Sequence, residues 1–79
     1  MQMKYIMING FDPVIFSDRW THANLAFNLN IDTKDITSAG FIQLTVKGAH
    51  CYGSSTSLGK AAAPGDAARI NSLAGDNFD

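Results

Sequence analysis

A stretch of hydroxyl residues between two glycines is the part of this chain whose spacing comes nearest to a phosphate-binding motif. It reads Gly53-Ser54-Ser55-Thr56-Ser57-Leu58-Gly59-Lys60. A Walker A loop has four residues between its glycines, then Lys and Ser or Thr, so that consecutive backbone N–H groups surround a phosphate. Here five residues separate Gly53 from Gly59, and Ala61 stands where the metal-binding hydroxyl should be. The spacing therefore excludes nucleotide hydrolysis of the Walker A kind.

Two interpretations of this stretch remain. Hydroxyls and backbone N–H groups can hold an anion, and the stretch is expected to end near the start of a helix, where the helix dipole favours negative charge. The candidate ligand residues are Tyr52, Ser54, Ser55, Thr56, Ser57, Lys60 and Arg69. A nucleotide or another phosphate-bearing small molecule would suit them. The alternative is a solvated connection, because Ser, Thr and Gly are ordinary loop residues.

The other reactive residue types do not form a recognisable catalytic or metal site. His50 and Cys51 are neighbours on a predicted strand, so they point to opposite faces and cannot act as base and nucleophile; Cys51 is expected to be a small core residue. His22, His50 and Cys51 lack the close spacing of metal ligands. Asp32 and Asp35 could form a carboxylate pair for acid–base work, but one of them is interpreted as a turn cap instead, because no apolar setting lies nearby to raise a carboxyl pKa. No catalytic residue, metal or cofactor is predicted.

Turn and alternation signals place these residues on a β-β-α-β-β-α layout. Lys4 to Ile8 reads as a strand, and Asn9-Gly10 is a strong hairpin signal. Pro13 restricts the returning strand, Val14 to Phe16, to the edge of the sheet, or to a start just after the proline.

The first helix is predicted from Asp18 to about Leu29, capped by Ser17 or Asp18. It carries two apolar stripes instead of the usual one. One consists of Trp20, Ala23 and Phe27, and the opposite one of Leu25, Leu29 and, less closely, Ala26, with His22 beside it. Two stripes imply two partners, so Trp20, Ala23 and Phe27 are candidate interface residues. The alternative is that this stripe packs in the core and the Leu25/Leu29 stripe covers another surface.

The second half of the chain begins with the clearest strand alternation, over Ile36 to Lys47, in which Ile42, Leu44 and Val46 share one face. Gly40 predicts a bulge or a close backbone approach. A turn at Lys47-Gly48 and a return strand over Ala49 to Tyr52 follow.

The last element predicted is a helix that starts at Pro64 and ends before Gly75. Asp66 in its first turn complements the helix dipole. Residues 1–75 are therefore expected to form a single domain, and residues 76–79 a short polar tail. The fold class predicted is α+β, with a mainly antiparallel sheet covered by two helices.

Composition limits the classes of function. The chain has 79 residues, 46% of them apolar, a formal net charge of −1 and one cysteine. A core this small usually needs additional burial, and self-association is the favoured source because one cysteine cannot form an intramolecular disulfide. The basic residues are scattered, which argues against nucleic-acid binding. No segment approaches the roughly 20 apolar residues that span a bilayer, so a soluble, cytoplasmic protein is expected.

In overall type the chain resembles the small proteins carried by bacteriophages and prophages, which include anti-CRISPR and other host-defence inhibitors. The resemblance lies in the layout: a short, compact α+β chain, close to neutral, poor in cysteine and without a catalytic signature. It implies a non-catalytic protein, working in the host cytoplasm, that inhibits a host defence complex by protein–protein contact. The alternative is a protein that binds or sequesters a small anionic ligand through the hydroxyl stretch. A small enzyme is the least favoured interpretation, since no nucleophile–base pair can be assembled.

Overall fold

A four-stranded antiparallel sheet forms the centre of the molecule. The computed structural model describes residues 2–77, the last three of them by their backbone alone. The strands lie in the order β2-β1-β3-β4, and every neighbouring pair is antiparallel. Their bounds are β1 (Gln2–Ile8), β2 (Asp12–Phe16), β3 (Ile36–Thr45) and β4 (Gly48–Tyr52). The predicted α+β class with an antiparallel sheet is confirmed.

The β1–β2 hairpin is turned by residues that tolerate a left-handed backbone. Asn9 has φ 55° and Gly10 has φ 68°, and the amide of Phe11 donates to the carbonyl oxygen of Ile8 at 3.0 Å. Pro13, which has no N–H, lies in β2 at the edge of the sheet. The hairpin and the edge position are both as the sequence predicts.

Two small apolar cores lie on opposite faces of the sheet, because consecutive strand residues point in opposite directions. The first core contains Ile6, Phe16, Ala26, Ile36 and Ala39, and the second contains Tyr5, Met7, Ile42 and Ile70. Central strand β1 contributes to both, which explains its continuous run of buried residues.

Helix α1 (His22–Asn28) covers the first core and is shorter than the sequence predicts. The start predicted at Asp18 is wrong. Residues 17–20 form a turn in which the amide of Trp20 donates to the carbonyl oxygen of Ser17 at 3.2 Å. Thr21 is the N-cap instead, since its backbone is extended and its Oγ1 accepts from the amide of Asn24 at 3.0 Å.

A short 3-10 helix, Thr33–Asp35, connects α1 to β3, and Asp32 is its N-cap. The carboxylate of Asp32 accepts from the amide of Lys34 at 3.0 Å. The interpretation of Asp32 as a turn cap is confirmed.

The apolar residues of strand β3 are buried only in the part of the strand that the helices cover. Ile42 is fully buried, whereas Leu44 is exposed and Val46 lies beyond the end of the strand, fully in solvent. Gly40 marks a close backbone approach as predicted: a Cβ there would lie 2.6 Å from the carbonyl oxygen of Tyr52. The strand ends at Thr45, earlier than the predicted Lys47.

The hydroxyl stretch is itself a hairpin. Strands β5 (Ser54–Ser55) and β6 (Lys60–Ala61) pair antiparallel as a second, two-stranded sheet. The predicted element order is therefore incomplete, because this hairpin stands between β4 and the second helix.

Helix α2 (Asp66–Asn77) covers the second core. It begins after Pro64, which lies in the preceding turn, so the start predicted at Pro64 is two residues early. The stop predicted at Gly75 is wrong, because the helix continues to Asn77 and so includes the first residues of the predicted tail. Phe78 and Asp79 lie outside the described residues. Within residues 2–77, no helix is long and apolar enough to cross a membrane.

Candidate functional site

A small polar cavity lies where β1, the start of α1 and the β5–β6 hairpin meet. Its volume is about 120 Å³. The lining residues are Lys4, Thr21, His22, Phe41, Ser54, Ser55, Thr56 and Ser57. All four consecutive hydroxyl residues that the sequence suggested as ligands therefore face one cavity.

The positive charge in this cavity comes from Lys4, not from the residues that the sequence suggested. Its Nζ donates to the carbonyl oxygen of Trp20 at 2.7 Å and lies 6.0 Å from the ring centroid of Phe41. Lys4 precedes the hydroxyl stretch by most of the chain. Only the pairing of β1 with β3 brings it to the hairpin, and no local pattern in the sequence predicts that pairing.

His22 is the second cavity residue that sequence reasoning missed as a ligand candidate. Only 3% of its surface is exposed, and its Nε2 lies 2.8 Å from the carbonyl oxygen of Gly40. A carbonyl can only accept, so Nε2 carries the proton and Nδ1 of the neutral ring is an acceptor. Burial lowers the pKa of His22, and the charge of Lys4 lowers it further. The ring therefore stays neutral at physiological pH.

Aromatic rings hold the imidazole of His22 in place. The rings of Phe16 and Phe41 meet it edge to face, with centroids 5.5 and 6.0 Å away. The row continues along the sheet, since Tyr52 stacks on Phe41 and His50 stacks on Tyr52. Phe41 and Tyr52 therefore stand between the two histidines, which are not in contact with each other.

Three of the hydroxyl oxygens in the cavity already accept a hydrogen bond from the backbone. Thr21 Oγ1 accepts from the amide of Asn24, Ser57 Oγ from the amide of Ala23 and Ser55 Oγ from the amide of Leu58. Ser55 and Ser57 also share one hydrogen bond, 3.3 Å between their oxygens. Because each of these oxygens already accepts one hydrogen bond, its hydroxyl can interact with a ligand mainly as a donor.

Three candidate ligand residues lie elsewhere. The hydroxyl of Tyr52 donates to Gln2 Oε1 at 2.7 Å. Lys60 pairs with Ser55 across the β5–β6 hairpin but does not line the cavity. Arg69 lies on α2, where its Nε donates to the carbonyl oxygen of Phe11 at 2.8 Å and its guanidinium covers the Phe11 ring at 3.6 Å. The site is therefore smaller than the sequence suggested and draws its charge from another strand.

The interface candidates Trp20, Ala23 and Phe27 lie on the outer side of the α1 region. Trp20 is 48% exposed and Phe27 is 82% exposed, while Ala23 is half-buried. On the other side of the helix Ala26 is buried and Leu25 packs against the first core. The inward side is therefore the one that carries Leu25, Ala26 and His22, although Leu29 of the same predicted stripe is exposed.

A buried polar cluster on the opposite face of the sheet was not foreseen. Asp66, 5% exposed, accepts on Oδ2 from the hydroxyl of Tyr5, from Ser38 Oγ at 2.7 Å and from the amide of Ala63 at 2.9 Å. Burial raises the pKa of Tyr5, and the hydrogen bond to Asp66 raises it further. Burial also raises the pKa of Cys51, a half-buried residue packed against the second core. A tyrosine inside an apolar strand was the available signal.

The chain matches no protein-family model, no curated protein and no solved structure in the comparisons made. Within residues 2–77, no three His, Cys, Asp or Glu residues lie close enough together to hold a metal ion. Function is therefore inferred from the α1 region and from the cavity.

Proposed function

We propose that this chain is a non-catalytic binding protein that contacts a protein partner through the α1 surface, defined as Trp20, Ala23 and Phe27. The observation that carries the proposal is the exposure of Phe27, which is 82% exposed on a helix whose next inward residue, Ala26, is 1% exposed. Aromatic residues are enriched at interfaces, and tryptophan is enriched among the residues that dominate binding energy.

The α1 surface is held in place before any partner arrives. The carbonyl oxygen of Trp20 accepts from Lys4 Nζ at 2.7 Å, and its amide donates to Ser17 at 3.2 Å. The amide of Ala23 donates to Ser57 Oγ at 3.2 Å. Backbone that is already ordered loses less conformational entropy on association, which favours affinity.

The partner proposed is a host protein complex, of the defence type, met in the host cytoplasm by a phage or mobile-element protein. This part of the proposal has its support in the resemblance of layout to small phage proteins. A formal net charge of −1 gives little support to mimicry of nucleic acid. The same surface is also the one proposed for self-association into a homodimer or higher oligomer.

Self-association is tested by light scattering coupled to size exclusion across a range of micromolar concentrations. The wild-type chain is expected to form particles of more than one chain, and Phe27→Ser to form fewer of them. Val46→Ser is the matched control, because Val46 is another fully exposed apolar residue outside α1. Particles of a single chain at every concentration would contradict self-association.

Partner binding is tested separately, by capture of purified host defence complexes on the immobilised chain. Trp20→Ala and Phe27→Ser are expected to abolish capture while thermal melting stays unchanged, because exposed side chains contribute little to stability. Val46→Ser should capture normally. Capture that survives both α1 substitutions would assign the contact to another surface.

A further inference from the structure

We propose that the cavity between β1, α1 and the β5–β6 hairpin binds a small oxyanion, and that hydrogen phosphate or a terminal phosphoryl group is the ligand it fits best. This site is distinct from the proposed protein contact, although Lys4 and Ser57 of the cavity also hydrogen-bond to the backbone of Trp20 and Ala23. The residues assigned to the ligand are Lys4, Thr21, His22, Ser54 and Thr56.

The hydroxyl groups that remain available in the cavity favour a ligand that accepts hydrogen bonds. Thr21 Oγ1 accepts from a backbone amide, so its own proton is available to the cavity. One proton of the Ser55/Ser57 pair is available for the same reason. The side-chain hydroxyls of Ser54 and Thr56 make no hydrogen bond to any described residue, so both are also available. A cavity with several O–H donors and few remaining acceptors is complementary to the oxygens of an anion.

The cavity is positively charged, as the binding of an anion requires. Lys4 is the charged residue among those that line it, and no carboxylate does. The hydrogen bond from Nζ to the carbonyl oxygen of Trp20 uses one of three ammonium protons and fixes the position of the charge. The other two remain available for charge-assisted hydrogen bonds to an oxyanion.

His22 supplies a means of distinguishing phosphate from sulfate. Its Nε2 is committed to the carbonyl oxygen of Gly40, which leaves Nδ1 as the ring nitrogen for the cavity. Burial lowers the pKa of the ring, so Nδ1 is an acceptor. Hydrogen phosphate, like the singly protonated form of a phosphate monoester, has an O–H group that can donate to it, whereas sulfate at neutral pH has none. Phosphate should therefore bind more tightly than sulfate.

The size of the cavity limits the ligand. A volume of about 120 Å³ is well below the roughly 300–1,000 Å³ of pockets that enclose a drug-sized ligand. One phosphoryl group fits this space, while the sugar and base of a nucleotide would have to lie outside. The shared chemistry is thus a phosphoryl group, either free or at the end of a small metabolite.

Binding is measured on the full chain by two-dimensional amide NMR, with sodium phosphate titrated at constant ionic strength against sodium chloride. Saturable shifts are expected at residues 21–23 and 54–57, with smaller or weaker effects from sulfate. The fluorescence of Trp20, the only tryptophan of the chain, gives a second readout beside Lys4. Adenosine monophosphate is titrated in parallel: tighter binding than phosphate identifies a phosphorylated metabolite, and equal binding identifies free phosphate.

Two variants test the residues assigned. Lys4→Gln removes the charge, and the double variant Ser54→Ala/Thr56→Val removes two hydroxyls that make no hydrogen bond to the described residues. Each is expected to weaken phosphate binding about tenfold or more, the effect of losing charge-assisted hydrogen bonds. Lys47→Gln, at an exposed lysine of the β3–β4 turn, is the control and should leave binding unchanged.

Shifts that follow ionic strength alone, or binding that all variants retain, would overturn the proposal. Equal affinity for sulfate and phosphate would overturn the role assigned to His22. The double variant keeps the test decisive if Lys4→Gln should fail to fold.

Discussion

Among single residues, Asp66 has a structural role that the sequence does not reveal: its buried carboxylate connects helix α2 to the sheet. A carboxylate is costly to bury unless hydrogen bonds satisfy it. Its Oδ2 accepts from two side chains of the sheet, Tyr5 and Ser38, and from the amide of Ala63 just before α2. The carboxylate therefore fixes the start of α2 on the second face of the sheet. Its location under the helix, away from the cavity, assigns it to stability and not to ligand binding.

Replacement of Asp66 should destabilise the fold strongly. Asp66→Ala leaves two buried hydroxyl donors and the partly buried amide of Ala63 without an acceptor. At about 1–3 kcal/mol for each buried donor, a loss of at least about 2 kcal/mol is expected in urea unfolding. Tyr5→Phe removes one donor and should cost about 2 kcal/mol, as for a hydrogen bond to a charged group. A loss below 1 kcal/mol for Asp66→Ala would contradict the role given to this carboxylate.

His22 should make stability depend on pH. Burial holds its pKa below the ordinary 6.5, so below that pH the unfolded chain takes up a proton that the folded chain does not. Stability is therefore complete above pH 6.5 and declines as the pH falls towards the lowered pKa, by at most about 1.4 kcal/mol per pH unit.

The measurement for His22 is thermal melting between neutral pH and about pH 5.5, in buffers without phosphate. His22→Gln should flatten the slope, because glutamine does not titrate. His50→Gln serves as the control, since His50 is exposed. An identical slope in wild type and His22→Gln would show that another group causes the pH dependence.

Among the secondary-structure elements, those formed by local interactions could be predicted from the sequence, and those that depend on contacts distant in sequence could not. The β1–β2 hairpin could be predicted because Asn9 and Gly10 specify its turn locally. The start of α1 could not, because Ser17 and Thr21 are both acceptable caps and the packing of His22 under the sheet selects Thr21. Strands β5 and β6, two residues each, are too short to show any periodicity.

The candidate site divides in the same way. The hydroxyl residues of the β5–β6 hairpin form one local stretch, so their shared position could be predicted from composition and flanking glycines. The cation could not, because Lys60 is nearby in sequence but Lys4 reaches the cavity through the β1–β3 pairing. Arg69 does not line the cavity and instead contacts Phe11 in the β1–β2 turn, a contact that is equally non-local.

Gly40 and Gly59 are required for different reasons. Gly40 on β3 has no room for a side chain, whereas Gly59 in the β5–β6 hairpin has a left-handed backbone. Gly40→Ala would place a Cβ 2.6 Å from the carbonyl oxygen of Tyr52, and forcing β3 and β4 apart should cost about 3 kcal/mol. Gly59 has φ 66° with open space around it, so Gly59→Ala should cost only about 1 kcal/mol of backbone strain.

Urea unfolding of both glycine variants checks this order. The NMR shift of the His22 ring is an additional readout, because its hydrogen bond goes to the carbonyl oxygen of Gly40. It should move in Gly40→Ala and stay in place in Gly59→Ala. Equal costs for the two variants would contradict the close approach of β3 to β4.

At the scale of the whole molecule, the sheet divides a small apolar content into two cores. Each core is thin, because a chain of 79 residues buries a smaller fraction of its surface than a larger domain. Several large apolar side chains consequently remain outside both cores, among them Trp20, Phe27 and Val46. Exposed singly, such residues are ordinary. Trp20 and Phe27 both belong to the α1 surface, whose backbone is ordered, and this favours a binding surface.

The two outer strands of the sheet show how the molecule limits unspecific association. An open edge presents unpaired backbone groups to other chains. On β2, Pro13 has no N–H to offer. On β4, the amide of Ala49 points outward and donates to Asn71 Oδ1 at 2.8 Å, so a side chain of α2 covers it. Each outer strand therefore offers one backbone N–H fewer to another chain.

Asn71→Ala should accordingly weaken the fold slightly and release the β4 edge. The lost hydrogen bond corresponds to about 1 kcal/mol, measurable by urea unfolding. The larger effect should be faster growth of light scattering in concentrated samples, because a free amide on an edge strand promotes pairing between chains. Ser72→Ala, an exposed neighbour on α2, should scatter like wild type. Adding Phe27→Ser to Asn71→Ala should not slow this growth, since edge pairing does not use α1. If it does, the α1 surface and not the β4 edge is the route by which the chains associate.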